Sequence, residues 1–159
     1  MKKIIAILGL VTLVATASSA VMRVGVEDGI PYMGWQLTEM QALDVGLGYT
    51  STNDGNNTNL NLFGKYTQNI VEAKNVKLNW SGTLGLASTK QAAGVASATW
   101  TTISLIGSLG AEYMINDVIA IYGDIDLLML QSMSGDVTGT NIWLVTGSGN
   151  CYSGIRIYI

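Results

Sequence analysis

Tyr152-Ser153-Gly154-Ile155-Arg156-Ile157-Tyr158-Ile159 alternates without interruption. Successive side chains of a strand point to opposite faces, so Ile155, Ile157 and Ile159 share one face and Gly154, Arg156 and Tyr158 the other. In a soluble barrel or sandwich the isoleucines would turn into a core and Arg156 out to water. In a strand that spans a bilayer the assignment reverses, with isoleucines on lipid and Arg156 in a lumen. The rest of the chain has to decide between these two insides.

The same period of two recurs along the sequence. Met22, Val24 and Val26 alternate with Arg23, Gly25 and Glu27, and Met33, Trp35 and Leu37 with Gly34 and Gln36. Pro31, which cannot donate to a ladder, belongs at the start or edge of that second strand. Leu43, Val45, Leu47 and Tyr49 alternate with Asp44, Gly46, Gly48 and Thr50; Leu60, Leu62, Gly64 and Tyr66 with Asn61, Phe63 and Lys65. From Val76 to Leu86 the pattern is unbroken, about the length of a tilted membrane-spanning strand. Ile103, Leu105, Gly107, Leu109, Ala111 and Tyr113 form a further apolar row, with Ile106 interrupting the polar row opposite. Ile119, Ile121, Gly123, Ile125, Leu127 and Met129 are set against Ala120, Tyr122, Asp124, Asp126 and Leu128.

The N-terminus has the three parts of a secretory signal peptide: basic Lys2-Lys3, an apolar run from Ile4 to about Val14, and small residues up to Ala20. Cleavage after Ala20 is expected, with a cut after Ala17 as the alternative, giving a signal peptide at 1–20 and one barrel domain at 21–159. Without Lys2 and Lys3, six of the eight Lys/Arg face eleven Asp/Glu, a net charge of about −5 and no basic cluster for nucleic acid. The single cysteine, Cys151, allows no internal disulfide. Only 12% of residues are charged, 48% are hydrophobic and 19 are glycine, against roughly a quarter charged in a soluble domain. No apolar run after the signal is as long as a spanning helix, so this apolar surface needs another place to go.

Parity bears on the count. A barrel with both termini on the periplasmic side needs an even number of strands, short turns on that side and longer loops outside. Taking 22–27 as the first strand and Asn141–Ile159 as the last gives eight, with Gly147-Ser148-Gly149-Asn150 as a bulge within the last strand. The alternative splits that stretch at the glycines and drops the first strand, which sends the longer loops inward. On the preferred count Thr38-Glu39-Met40, 69–75 and Ile115-Asn116-Asp117 are periplasmic connections, and 51–58, 88–98 and 134–140 are outer loops.

The signal peptide, the run Gln41-Ala42-Leu43-Asp44-Val45-Gly46-Leu47-Gly48-Tyr49, the similar Asp117-Val118-Ile119-Ala120-Ile121-Tyr122-Gly123-Asp124 and the ending Gly154–Ile159 together resemble the small outer-membrane β-barrel superfamily of OmpA/OmpX-type proteins. Members of that group usually finish on an aromatic residue, whereas here Tyr158 is penultimate. The resemblance implies an all-β, eight-stranded antiparallel up-and-down transmembrane β-barrel in the outer membrane of a Gram-negative bacterium. Its partners would be outer-membrane lipid and, during insertion, the barrel-assembly machinery; it would be monomeric and bind no nucleic acid.

On this register the lumen row holds Arg23, Glu27, Asp44, Lys65, Lys77, Glu112, Asp124, Asp126 and Arg156, four basic and five acidic groups. Charges of both signs in a narrow barrel read as a mutually paired plug, because isolated buried ions are too costly. Asp124 and Asp126, two apart on one face, are expected beside Lys65, Lys77 or Arg156, and Arg156 beside Asp124, Asp126 or Glu27. Trp35, Tyr49, Tyr66, Trp80 and Tyr113 fall on the outward rows, where aromatic girdles meet headgroups. With no histidine in the chain, a Ser-His or Cys-His nucleophile and the commonest neutral-pH proton carrier are absent, and one cysteine makes no metal site. No catalytic, cofactor-binding or metal residue is therefore expected. The reading is a barrel with a filled lumen, acting structurally or through its outer loops. A soluble lipocalin-like barrel for an apolar ligand and a lipid-modifying outer-membrane enzyme are the alternatives.

Overall fold

The computed structural model describes residues 21–27, 29–52, 57–93, 96–144 and 151–159. The expected signal peptide and the glycine stretch 147–150 lie outside the described residues, as do 53–56 and 94–95 within two of the expected loops.

The strands are β1 Val21–Glu27, β2 Ile30–Thr38, β3 Gln41–Thr52, β4 Asn57–Ala73, β5 Val76–Ala93, β6 Ala96–Met114, β7 Ile119–Gly135, β8 Gly139–Leu144 and β9 Cys151–Tyr158. They pair antiparallel in the order β6-β5-β4-β3-β2-β1-β9-β7-β8, and a further β6–β7 pairing closes the sheet on itself. β8 runs along Leu128–Met133 of β7 and β9 along Ile119–Ile125 of the same strand. They are two parts of one stave, so the barrel has eight staves, as the bulged-strand count expects. The seam is β1 against β9, from Arg23↔Tyr158 to Glu27↔Gly154, extended by the Ile159 amide donating to the Met22 carbonyl at 2.7 Å.

The register fixes how far the staves are staggered. From Met114 the paired residues run Ala120, Arg156, Gly25, Tyr32, Gly46, Phe63 and Gly85, and return to β6 at Ser104. One circuit thus climbs from position 114 to 104 of the same strand, a stagger of 10 residues. Staggered closure obliges the strands to tilt, by roughly 35–45°, and leaves an interior that side chains of an eight-stranded barrel can fill.

The two faces are inverted relative to a soluble protein. Arg23 is 2% exposed and Asp44 1%, whereas Leu47 is 58% exposed, Leu84 55% and Ile155 56%. The soluble lipocalin-like alternative requires the opposite. Two bulges adjust the sequence-derived rows. At Ile70 the ladder skips from Asn69 to Val71, so Glu72 comes to share the inner face with Lys77. At Leu127 it skips from Asp126 to Leu128, which turns Leu128 outward and places Met129 opposite inward-facing Ile106; Met129 is thus a correction to the expected outward row.

The connections also differ from expectation. β4 runs to Ala73, so 69–75 is mostly strand and the turn is Lys74-Asn75, with Lys74 at φ 52°. Ladder pairs extend to Thr52↔Asn57, Ala93↔Ala96 and Met133↔Gly139, so the described residues of 51–58 and 88–98 and most of 134–140 are sheet rather than loop. The polar side chains read as loop material decorate strands that outrun the apolar belt. A tilted strand needs about 9–11 residues to span a bilayer. β5 has 18 and β6 has 19, while β1 has 7 and β2 has 9. The wall is therefore tall at β4–β7 and low at β1–β2. We call the end carrying Val21 and Ile159 the terminal rim and the other the far rim.

Candidate functional site in the barrel lumen

The inner row meets in two layers of ion pairs. Nearer the terminal rim, the Arg23 guanidinium grips the Asp44 carboxylate with both forks, Nε donating to Oδ1 at 2.7 Å and Nη2 to Oδ2 at 2.6 Å. Glycine makes this possible: a Cβ at Gly34, the residue cross-strand from Asp44, would occupy the space of the Asp44 carboxylate. Arg156 Nη1 pairs with Glu112 Oε2, Nη2 lies 4.0 Å from Asp44 Oδ2, and Nε donates to the Tyr32 hydroxyl at 2.9 Å. The Tyr158 hydroxyl donates to Glu112 Oε1 at 2.5 Å. The Arg156 guanidinium also stands 4.5 Å from the centre of the Tyr122 ring, within cation–π range.

The second layer lies toward the far rim. Lys65 Nζ bridges Glu27 Oε2, at 2.7 Å, and Asp124 Oδ2. The Tyr122 hydroxyl adds a hydrogen bond to Glu27 Oε2 at 3.2 Å. A Cβ at Gly110 would collide with the Asp124 carboxylate, the same device as at Gly34. Asp126 accepts from Ser108 Oγ at 2.7 Å through Oδ1, while its Oδ2 is buried without a hydrogen-bond partner.

Seven of the nine residues picked from sequence are buried: Arg23, Asp44, Lys65, Glu112, Asp124, Asp126 and Arg156. Glu27 is only partly covered. Lys77 stands apart: it faces inward near the terminal rim, but its ammonium lies 3.5 Å from Glu72 across the β4–β5 turn rather than within either layer. The expected partner of Arg156 is also corrected, since Glu112 and Asp44 hold it rather than Asp124, Asp126 or Glu27. Of the expected neighbours of Asp124, Lys65 is present; Asp126 has Ser108. Sequence reasoning set Tyr122 and Tyr158 on the inner row without giving them a role and passed over Tyr32; the three knit the layers together. The usable signal was parity, because an aromatic ring on an otherwise polar row has only the lumen to point into.

Above the second layer is a cavity of about 230 Å³ whose lining includes Glu27, Lys65, Asp124 and Asp126 together with Phe63 and Ile106. On the outer wall, Tyr66 and Trp80 pack with ring centres 5.7 Å apart, and Trp35 and Tyr113 also lie toward the terminal rim. Tyr49, 64% exposed, is the member of the expected aromatic set nearer the far end of its strand. Cys151 is exposed on the outer face, opposite Ile125.

No family model and no curated protein matches the chain. Among solved structures it is similar to the crystal structure of Neisserial surface protein A, with a TM-score of 0.54 and 11% sequence identity over 88% of this chain and 94% of that one. Acinetobacter baumannii CarO aligns over 87% of this chain and 96% of its own at 10% identity, but its TM-score of 0.36 is too low to bear on the fold. The likeness to the Neisserial protein concerns architecture: the chain has the fold of a small eight-stranded outer-membrane β-barrel.

Proposed function

We propose that this protein is an exported, monomeric barrel of the bacterial outer membrane, held in lipid by its outer face and sealed by its lumen pairs. Its role is structural or surface-directed, exercised at the far rim. The observation that carries this reading is the inversion of polarity: Leu47, Leu84 and Ile103 are more than half exposed while Arg23, Asp44 and Lys65 are almost fully enclosed. In water each such half-exposed side chain would cost roughly half of the 1.5–3 kcal/mol that full exposure costs relative to burial, and a bilayer removes that cost. A closed sheet also leaves no edge to lipid through the eight-stave part of the wall.

With the terminal rim in the periplasm, the projecting hairpins β3–β4, β5–β6 and β7–β8 face outside, and the partner-facing surface is strand rather than loose loop. No catalysis is assigned: the chain has no histidine, and Cys151 stands on the outer wall. The lumen is crossed by two tiers of paired side chains, so no steady pore is assigned either.

Cell fractionation with gel mobility of unheated and boiled samples tests the reading. The mature chain, beginning near Val21, is expected in the outer-membrane fraction with heat-modifiable mobility, and in planar bilayers it should show no sustained conductance. Recovery of the folded chain in the soluble periplasm would sink the proposal. An altered lipid A profile in cells carrying the protein would favour the enzymatic alternative instead.

A further inference from the structure

The two lumen layers are electrically unequal. In the first, Arg23 and Arg156 face Asp44 and Glu112, two charges against two. In the second, Lys65 alone faces Glu27, Asp124 and Asp126, and these four are the charged residues of the cavity lining. Three carboxyl groups there share one ammonium. Asp126 is 3% exposed; Ser108 and Tyr152 reach its carboxyl, yet among the described residues its Oδ2 is one of three buried side-chain oxygens without a hydrogen bond. Leaving such an acceptor bare is costly, more so for a charged group. The cavity over these carboxylates is lined by apolar Ile30, Phe63 and Ile106 and by polar Asn61, Thr83, Ser104 and Tyr152. It combines an anionic floor with a wall that offers an apolar patch.

We propose that this vestibule binds the ammonium head of a small organic amine, seated among Asp126, Asp124 and Glu27, with the carbon body against Phe63 and Ile106. A primary ammonium brings three N–H donors and one positive charge to a floor short of both. Among the described residues no group of His, Cys, Asp and Glu is arranged to hold a metal ion, and the patch of Ile30, Phe63 and Ile106 suits a carbon body that an inorganic ion lacks. The inference adds a ligand to the sealed barrel without requiring passage, because the first layer closes the lumen beneath the cavity. It does not depend on where the barrel resides.

The test is an amide NMR titration of the full barrel refolded in detergent, using n-butylammonium chloride, with 1-butanol and magnesium chloride in parallel at constant ionic strength. Butylammonium should give saturable shifts at Ser108, Asp126 and Lys65, and 1-butanol none. Asp126→Asn should weaken binding about tenfold or more. Ile106→Lys, which tethers an ammonium inside the same cavity, should abolish it while heat-modifiable mobility is kept. The proposal is overturned if the folded wild type shows no saturable response, if Asp126→Asn binds as tightly, or if 1-butanol or magnesium saturates the same amides equally well. Should Asp126→Asn not fold, Ile106→Lys decides, and undiminished binding there overturns the site.

Discussion

The terminal half and the far half of this barrel are made from the same strands but do opposite things. In the terminal half all eight staves are present, the connections are two to four residues long, aromatic rings gather on the outer wall and every lumen charge has a partner. In the far half β1 and β2 have ended, so β3 beyond Gly46 and β8 have no strand on their outer edges among the described residues. There a cavity opens and Asp126 keeps an unused oxygen. Stability is concentrated where the ring is complete, and the incomplete part is free to carry recognition.

The sharpest way to break this contrast is to remove a charge from each layer. Asp44→Ala strands Arg23 and leaves Arg156 with Glu112 alone, and breaking a buried pair from one side costs about 3–5 kcal/mol. Asp126→Asn removes a carboxylate that no cation holds and is expected to cost under about 1 kcal/mol. Urea unfolding in lipid vesicles measures both, and equal losses would erase the distinction between the layers.

A second comparison concerns depth on the outer face. Ile157 is paired with Ile119, directly after the 115–118 turn, so it sits near the terminal rim. Ile125 lies six positions further along β7. Lysine costs about 2–4 kcal/mol near the bilayer midplane and about 0–1 near the interface. Ile125→Lys should therefore fall in the upper range and Ile157→Lys in the lower, again by vesicle unfolding; the reverse order would mean the membrane belt is misplaced.

The smallest effect is expected at the tall hairpin. Replacing residues 91–98 by an Asn-Gly turn should change unfolding free energy by less than about 0.5 kcal/mol, since that part of the ladder projects past the belt. A loss of several kcal/mol would show that the projecting wall supports the barrel.

The sequence made the terminal half legible and the far half much less so. From Leu43 to Tyr49 and from Val76 to Leu86, one face meets lipid and the other the lumen, so alternation records the strand. In 88–98 the strands go on but neither face is buried in lipid, and Ala, Ser and Thr leave no alternation to read. The bulges at Ile70 and Leu127 were invisible because they are backbone events with no residue signature, and the second reversed the row for Met129. The membership of the lumen row followed from parity alone. Its pairings did not, because a stagger of 10 residues decides that Glu112, rather than Asp124, lies across from Arg156.

The five-pair seam between β1 and β9 has a consequence for how the barrel is made. Hairpins such as β5–β6 join near neighbours and can zip in microseconds, whereas the seam joins the two ends of the folded domain and pays the loop-closure entropy of nearly the whole chain. Local pairing thus comes early and ring closure last. Until closure, β1 and β9 are exposed edges of few residues, and a one-residue slip between them would turn the inner row of one strand, Arg23 or Arg156, toward lipid. Across the seam Arg156 meets the Tyr32 hydroxyl and Tyr122 meets Glu27; these contacts form only in the correct register, so besides filling the lumen they act as a proofreading device that rewards one closure and penalises its neighbours.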